Sequence, residues 1–245
     1  IFFWKSFDFK NYWRNEYLSL NNRIFYSIKK TGTTIAGLIF KDGVIIASDT
    51  RATNDEISCD LRCEKIHYLA PNICCCGAGT SADTENVTSL ISNHLELQRL
   101  SSGRESRIQT AVWALQNFLF RHGGLISAAL IVGGYDFLGA QLYSIHPHGS
   151  TENLPFIAMG SGSLAATAIL ERFFSSNLDV NSALTLIKES ILAGIYSDIG
   201  SGGNVDLCII KERTLEFKRS LENENTTKVS GIFLHNSNSI EIKIQ

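Results

Sequence analysis

Gly32-Thr33-Thr34-Ile35-Ala36-Gly37-Leu38-Ile39-Phe40, followed by Lys41-Asp42-Gly43 and Val44-Ile45-Ile46-Ala47-Ser48, is the stretch from which the rest of this 245-residue sequence can be read. The apolar run from Thr34 to Phe40 reads as a buried strand, and Val44 to Ser48 as a second one. Lys41-Asp42-Gly43 predicts the hairpin turn between them, with the glycine supplying a positive φ.

Downstream, further runs follow the same logic. Ile66 to Leu69 and Ile73 to Cys76 form a pair of strands around Pro71-Asn72. A helix then begins with Thr80 as cap and Asp83 three residues on, its apolar face made by Val87, Leu90, Ile91, His94 and Leu95. A second helix covers about 106 to 122 and stops at Gly123-Gly124. Strands return at Ser127 to Val132, Ala140 to Ile145 and Phe156 to Met159. Two helices follow near 163–174 and 180–196, then strands at Val205 to Ile210 and Leu215 to Lys218. Strands, two helices, strands, two helices, strands implies an α+β chain, with two packed sheets covered on each side by a helix pair.

Upstream, residues 1–32 are aromatic and basic without a clear period, and read as a pro-segment; an organellar transit peptide is the alternative. Residues 221–245 are polar and end in the alternating Ser239-Ile240-Glu241-Ile242-Lys243-Ile244. That pattern reads as an extended arm lying on a neighbouring subunit. The core domain is therefore 33–220.

Composition narrows the function. The formal net charge of −2 gives no electrostatic footprint for nucleic acid. No apolar run approaches the roughly 20 residues of a membrane span. Six cysteines are present without a Cys-x-x-Cys pair, and Cys74-Cys75-Cys76 falls in a strand. Buried reduced thiols in a cytosolic chain account for this better than zinc or disulfides. His146-Pro147-His148 has no further ligands to make a metal site, so neither metal nor organic cofactor is expected.

The chemistry centres on Gly32-Thr33. A glycine before a hydroxyl residue at a strand start suits attack of the Thr33 hydroxyl on the Gly32 carbonyl, which has no side chain to shield it. The cut would leave Thr33 as a new N-terminus, its α-amine beside its own hydroxyl as base. Read alone, Gly-Thr-Thr is more simply an ordinary turn into a strand, and it is the rest of the chain that reverses this. Asp49 and Lys65, each beside a strand boundary, are candidates for the charged pair that activates a threonine. Gly77-Ala78-Gly79-Thr80 leads from a strand into a helix N-terminus, where backbone N–H groups can hold an oxyanion or simply make a tight turn. Ser161, Asp198 and Ser201 lie in glycine-rich segments that lack the lysine of a phosphate loop. They offer hydroxyls and a carboxylate to a charged amine.

Together these segments resemble the β2 class of subunits of the eukaryotic 20S proteasome, in order and spacing, from about Thr33 to about Leu215. The resemblance rests on Thr33 to Gly37, Ser48 to Thr53, Cys63 to His67, Cys76 to Thr80, Tyr143 to Ser150, Met159 to Ser163 and Asp198 to Gly202. It implies a four-layer αββα N-terminal nucleophile hydrolase, matured by cleavage between Gly32 and Thr33. Thr33 matches the nucleophile, Asp49 and Lys65 its charge partners, Gly79 the oxyanion donor, and Ser161, Asp198 and Ser201 the supporting network. Ala52, Thr53, Cys63, His67, Gly77, Ser81 and Glu85 match the first substrate pocket, with Gly77 leaving room and Glu85 supplying charge near its floor for a basic side chain. Asn54 departs from the pattern, standing where a second acidic residue is frequent. The resemblance further implies seven-membered β rings stacked on α rings, unfolded (ubiquitin-targeted) polypeptides as substrates, and residence in cytoplasm and nucleus. The competing reading is a non-catalytic structural β subunit of the same ring.

Overall fold

The hairpin is present: β1 (Thr34–Phe40) and β2 (Gly43–Asp49) pair antiparallel, Ile35 opposite Ser48 and Phe40 opposite Gly43. The computed structural model describes residues 31–54, 57–221 and 239–243. Gly43 is needed for a different reason than expected. It lies in extended pairing, and a Cβ there would come within 2.0 Å of the Ile210 carbonyl oxygen, so it permits close approach of the next strand.

The hairpin is the centre of a six-stranded antiparallel sheet that also contains β10 (Phe156–Gly160), β11 (Val205–Lys211), β12 (Thr214–Leu221) and β13 (Ser239–Lys243), in the order β10-β1-β2-β11-β12-β13. A second sheet runs β5-β6-β7-β8-β9, from β5 (Ile66–Ala70) and β6 (Ile73–Gly79) through β7 (Ala128–Asp136) and β8 (Gly139–Ile145) to β9 (Thr151–Asn153). β3 (Ala52–Asn54) and β4 (Ile57–Asp60) form a separate ribbon.

Side-chain alternation sorts the layers. Ile35, Val44, Ile46 and Cys208 from the first sheet meet Ile66, Cys74, Cys76, Ile131 and Leu142 from the second, forming the core between them. The opposite faces of the same strands carry Leu38, Phe40, Ile45 and Ile209, which pack on α3 (Ser163–Phe173) and α4 (Val180–Ser197) through Leu170, Ile187 and Ile191. Ile73, Cys75, Leu130 and Val132 likewise pack on α1 (Ser81–Ser102) and α2 (Ile108–Arg121) through Val87, Leu95, Leu115 and Leu119. Each large apolar side chain so buried contributes roughly 1.5–3 kcal/mol relative to exposure. The three-cysteine run is thus an ordinary buried strand, with Cys74 and Cys76 between the sheets and Cys75 under the helices.

One expectation is corrected and part of another segment is placed. Thr80 is the N-cap of α1 but makes no side-chain cap bond, and Asp83 instead accepts the N–H of Ser127 at 3.0 Å. The expected box fails because the carboxylate is engaged by the β7 entry. Within the arm expected to lie on a neighbour, residues 239–243 pair with β12 of their own chain, Phe217 opposite Ile240. The unpaired edge of β12 offers the backbone groups that an alternating segment needs. The pro-segment expected at 1–32 lies outside the described residues except for Thr31 and Gly32.

Candidate active site

Strand pairing converges on one edge of the two sheets. Antiparallel pairing sets the start of β1 beside the end of β2, so Thr33 and Asp49 are neighbours. β10 ends with Gly160 opposite Thr34, delivering Ser161, and β11 begins with Val205 opposite Asp49, delivering the 198–204 loop. From the second sheet come Lys65, immediately before β5, and Gly79, the last residue of β6.

Lys65 Nζ donates to Asp49 Oδ1 at 2.7 Å and to Thr33 Oγ1 at 3.0 Å. All three side chains are withdrawn from water, Thr33 at 6%, Lys65 at 8% and Asp49 at 0% exposure. A carboxylate that deep requires full compensation. It has it: Thr34 N–H donates to Oδ1 and Gly202 N–H to Oδ2, each at 3.0 Å. The Thr33 hydroxyl in turn donates to the Gly32 carbonyl oxygen at 2.6 Å. The nucleophile candidate is therefore held against the bond it is expected to break.

Around the Thr33 nitrogen lies a second cluster. Ser161 has one hydroxyl proton, and Asp198 Oδ2 at 2.5 Å takes it. Ser161 Oγ is then the acceptor of the Thr33 N–H at 3.0 Å. Ser201 Oγ donates to the same Asp198 oxygen at 2.6 Å, and Gly200 N–H to Oδ1 at 3.1 Å. Burial opposes the Asp198 charge, but the Ser161 and Ser201 hydroxyls and the N–H groups of Gly200 and Ser201 outweigh it and hold the carboxyl below its ordinary range.

Thr33 opens onto a cleft of about 490 Å³ whose wall includes Cys63, His67, Gly77, Gly79, Ser81 and Glu85. Gly79 has φ +133°, and a Cβ there would lie 2.2 Å from the Ser127 carbonyl oxygen, so only glycine fits. Its own carbonyl accepts the Thr31 hydroxyl at 3.1 Å. Burial lowers the pKa of His67, while Glu64 and Glu85 pull in the opposite direction. Burial pushes the Cys63 thiol up despite nearby Lys65, so it is not an activated thiolate.

Four of the residues expected in the pocket have further features. Ala52 and Thr53 stand on the β3–β4 ribbon, beside the cleft wall made by β5 and β6. Thr53 Oγ accepts the N–H of Gly32 at 3.0 Å. Glu85 lies on the cleft wall but is exposed. A Cβ at Gly77 would stand 3.0 Å from Thr84 Cβ, so this glycine also lets α1 approach β6. Sequence reasoning missed Thr34 and Gly202 as Asp49 donors, since both act through backbone N–H groups that no residue type advertises. Among the described residues no cluster of His, Cys, Asp and Glu is suited to a metal ion.

Residues 29–210 match the family described as proteasome subunit. The chain is 50% identical over 220 residues to proteasome subunit beta type-7-A of Arabidopsis thaliana, covering 90% of this chain and 81% of that one. It is 51% identical over 219 residues to proteasome subunit beta type-10 of Bos taurus, covering 89% and 80%. Against the probable proteasome subunit beta type-2 of Schizosaccharomyces pombe the identity is 47% over 230 residues, covering 92% and 85%. Agreement this dense along nearly the whole core leaves one assignment: the chain belongs to the proteasome β-subunit family of the 20S core, and its four layers are that family's α+β sandwich of the N-terminal nucleophile hydrolase type.

Proposed function

We propose that this β subunit is a threonine-type endopeptidase that frees its own nucleophile by breaking the Gly32–Thr33 bond and then cuts polypeptides preferentially after basic residues. The observation that carries the reading is one hydroxyl, Thr33 Oγ1, engaged at once by Lys65 Nζ at 3.0 Å and by the Gly32 carbonyl oxygen at 2.6 Å.

In the uncut chain, Thr33 Oγ adds to the Gly32 carbonyl carbon, the carbon–nitrogen bond breaks, and the Thr33 nitrogen takes up the proton released by the hydroxyl. Water then hydrolyses the Gly32 ester, leaving a carboxylate at Gly32 and a free amine on Thr33. Lys65, held by Asp49, is placed to stabilise negative charge developing on Oγ. Ser161, already at the Thr33 nitrogen and backed by Asp198, is placed to hold the new amine. That amine then accepts the hydroxyl proton when Thr33 attacks a substrate carbonyl, and returns it to the leaving nitrogen. The Gly79 N–H is assigned to the carbonyl oxygen of the intermediate.

Basic preference is supported by Glu85 on the cleft wall, with Glu64 also lining the cleft. We assign unfolded polypeptides as substrates, a seven-membered β ring between an α ring and a second β ring as the setting, and cytoplasm and nucleus as the location.

The test is the N-terminus of the subunit in its assembled particle, read by intact mass, together with hydrolysis of peptides bearing Arg, Leu or Glu before the cut. A Thr33 start with Arg peptides cleaved fastest is the expected result. A chain still joined through Gly32 in the finished particle would favour a structural subunit instead.

A further inference from the structure

We propose that Thr34 is a positioning residue for this reaction, its side-chain hydroxyl joining the two hydrogen-bond clusters around Thr33 into one closed circuit; the inference rests on the peptidase reading above. Thr34 is completely buried. Its N–H serves the lysine side of the site through Asp49 Oδ1. Its Oγ1 lies 2.8 Å from Ser201 Oγ. Ser201 has one proton and gives it to Asp198 at 2.6 Å, so Thr34 is the donor of the shared bond.

The order of contacts then closes on itself. From Thr33 Oγ it passes through Lys65 and Asp49 to the Thr34 backbone, and from the Thr34 hydroxyl through Ser201, Asp198 and Ser161 to the Thr33 nitrogen. Lys65 and Ser161 stand at the reacting atoms, Asp49 and Asp198 are bound to those two side chains, and Ser201 is bound to Asp198. The Thr34 hydroxyl touches no reacting atom, but through its bond to Ser201 it fixes the rotamer that orients Asp198.

Packing shows that the hydroxyl is held in one orientation. A Cβ on Gly162, the N-cap of α3, would fall 2.0 Å from Thr34 Oγ1, and one on Gly194 of α4 would fall 2.4 Å from Thr34 Cγ2. Two glycines from two helices therefore form the slot that this side chain fills. With χ1 stiff in a β-branched residue and both branches confined, the hydroxyl has no alternative acceptor direction to sample. Thr34 does not line the cleft, so its influence falls on the reacting groups and not on substrate binding.

The experiment compares full chains carrying Thr34→Val and Thr34→Ser, co-expressed with the subunits they assemble with, by steady-state peptide hydrolysis and by the rate of Gly32–Thr33 cleavage. Valine keeps the shape and removes the donor; serine keeps the donor and removes the methyl. Thr34→Val is expected to lower kcat about 3- to 10-fold with KM little changed, the size of one lost neutral hydrogen bond in a network. Thr34→Ser is expected to restore most of the rate. A Thr34→Val kcat equal to that of the parent overturns the proposal, as does an equal loss in both variants, which would assign Thr34 to packing. Failure of Thr34→Val to enter the particle also overturns it, by assigning the hydroxyl to folding. A parent particle without Thr33-dependent peptidase activity would instead defeat the functional reading itself.

Discussion

Gly32 and Gly200 face each other so closely that neither has room for a side chain. A Cβ on Gly32 would lie 2.1 Å from Gly200 Cα, and one on Gly200 would lie 2.5 Å from Gly32 Cα. The glycine before the bond proposed to be cut is thus fixed by what it packs against, the same loop that supplies Ser201 and the Gly202 N–H.

Gly200→Ala should therefore harm maturation more than turnover. The methyl forces the junction away by something near 1 Å, a displacement that costs roughly 100-fold in a positioned reaction. We expect slow Gly32–Thr33 cleavage, followed by intact mass over time. In chains produced with Thr33 already at the N-terminus, Gly32 is gone and peptidase activity should be largely retained. Equal loss in both forms would sink the idea.

Lys65→Met leaves the Asp49 carboxylate buried without its cation, a change that typically costs about 3–5 kcal/mol. The two backbone donors to Asp49 should keep the loss at the low end. Removing both charges, in Lys65→Met with Asp49→Asn, should recover much of the thermal stability. Self-cleavage should stay about 100-fold or more below the parent in both, since the loss of a preorganised donor aimed at developing negative charge costs that much. Unfolding midpoints of the assembled particle and the rate of mass change separate the two effects.

Acidification acts on the cleft through His67. Burial depresses its folded pKa below the ordinary value of about 6.5, so the ring is neutral at pH 7. The stability this group contributes is present above the unfolded pKa and is lost as pH falls through the lower folded value. Glu85→Gln removes an attraction for the charged ring and should move the titration further down. An unchanged His67 ring titration by NMR in that variant would contradict the coupling.

Glu85 is exposed, so its part in basic preference should be modest and screened. Glu85→Gln is expected to lower kcat/KM for Arg peptides about 3- to 10-fold and to leave Leu peptides unaffected. The parent's Arg preference should shrink between about 0.05 and 0.5 M salt. A salt-independent preference would move the specificity to other groups.

How much was legible depended on whether a residue acts by its type or by its backbone. β1, β2, β6 and the α1–α4 faces carry long apolar periods, and each was found within a few residues. β3, β4 and β9 span three or four residues and have no period to read. Gly43 was recognised as special but for a turn conformation, because the carbonyl of Ile210 that crowds it is remote in sequence. Thr33, Asp49, Lys65, Ser161, Asp198 and Ser201 come together at one edge, as their side-chain chemistry suggested. The Thr53 hydroxyl also accepts the Gly32 N–H, which only the folded junction reveals.

The contact between Thr33 Oγ1 and the Gly32 carbonyl has a consequence for timing. Nucleophile and target belong to one molecule, so the proposed self-cleavage is a reaction whose rate does not change on dilution. Meeting its neighbours, by contrast, slows with every dilution. Concentration alone can therefore set which event comes first, and a dilution series that follows both would reveal the order.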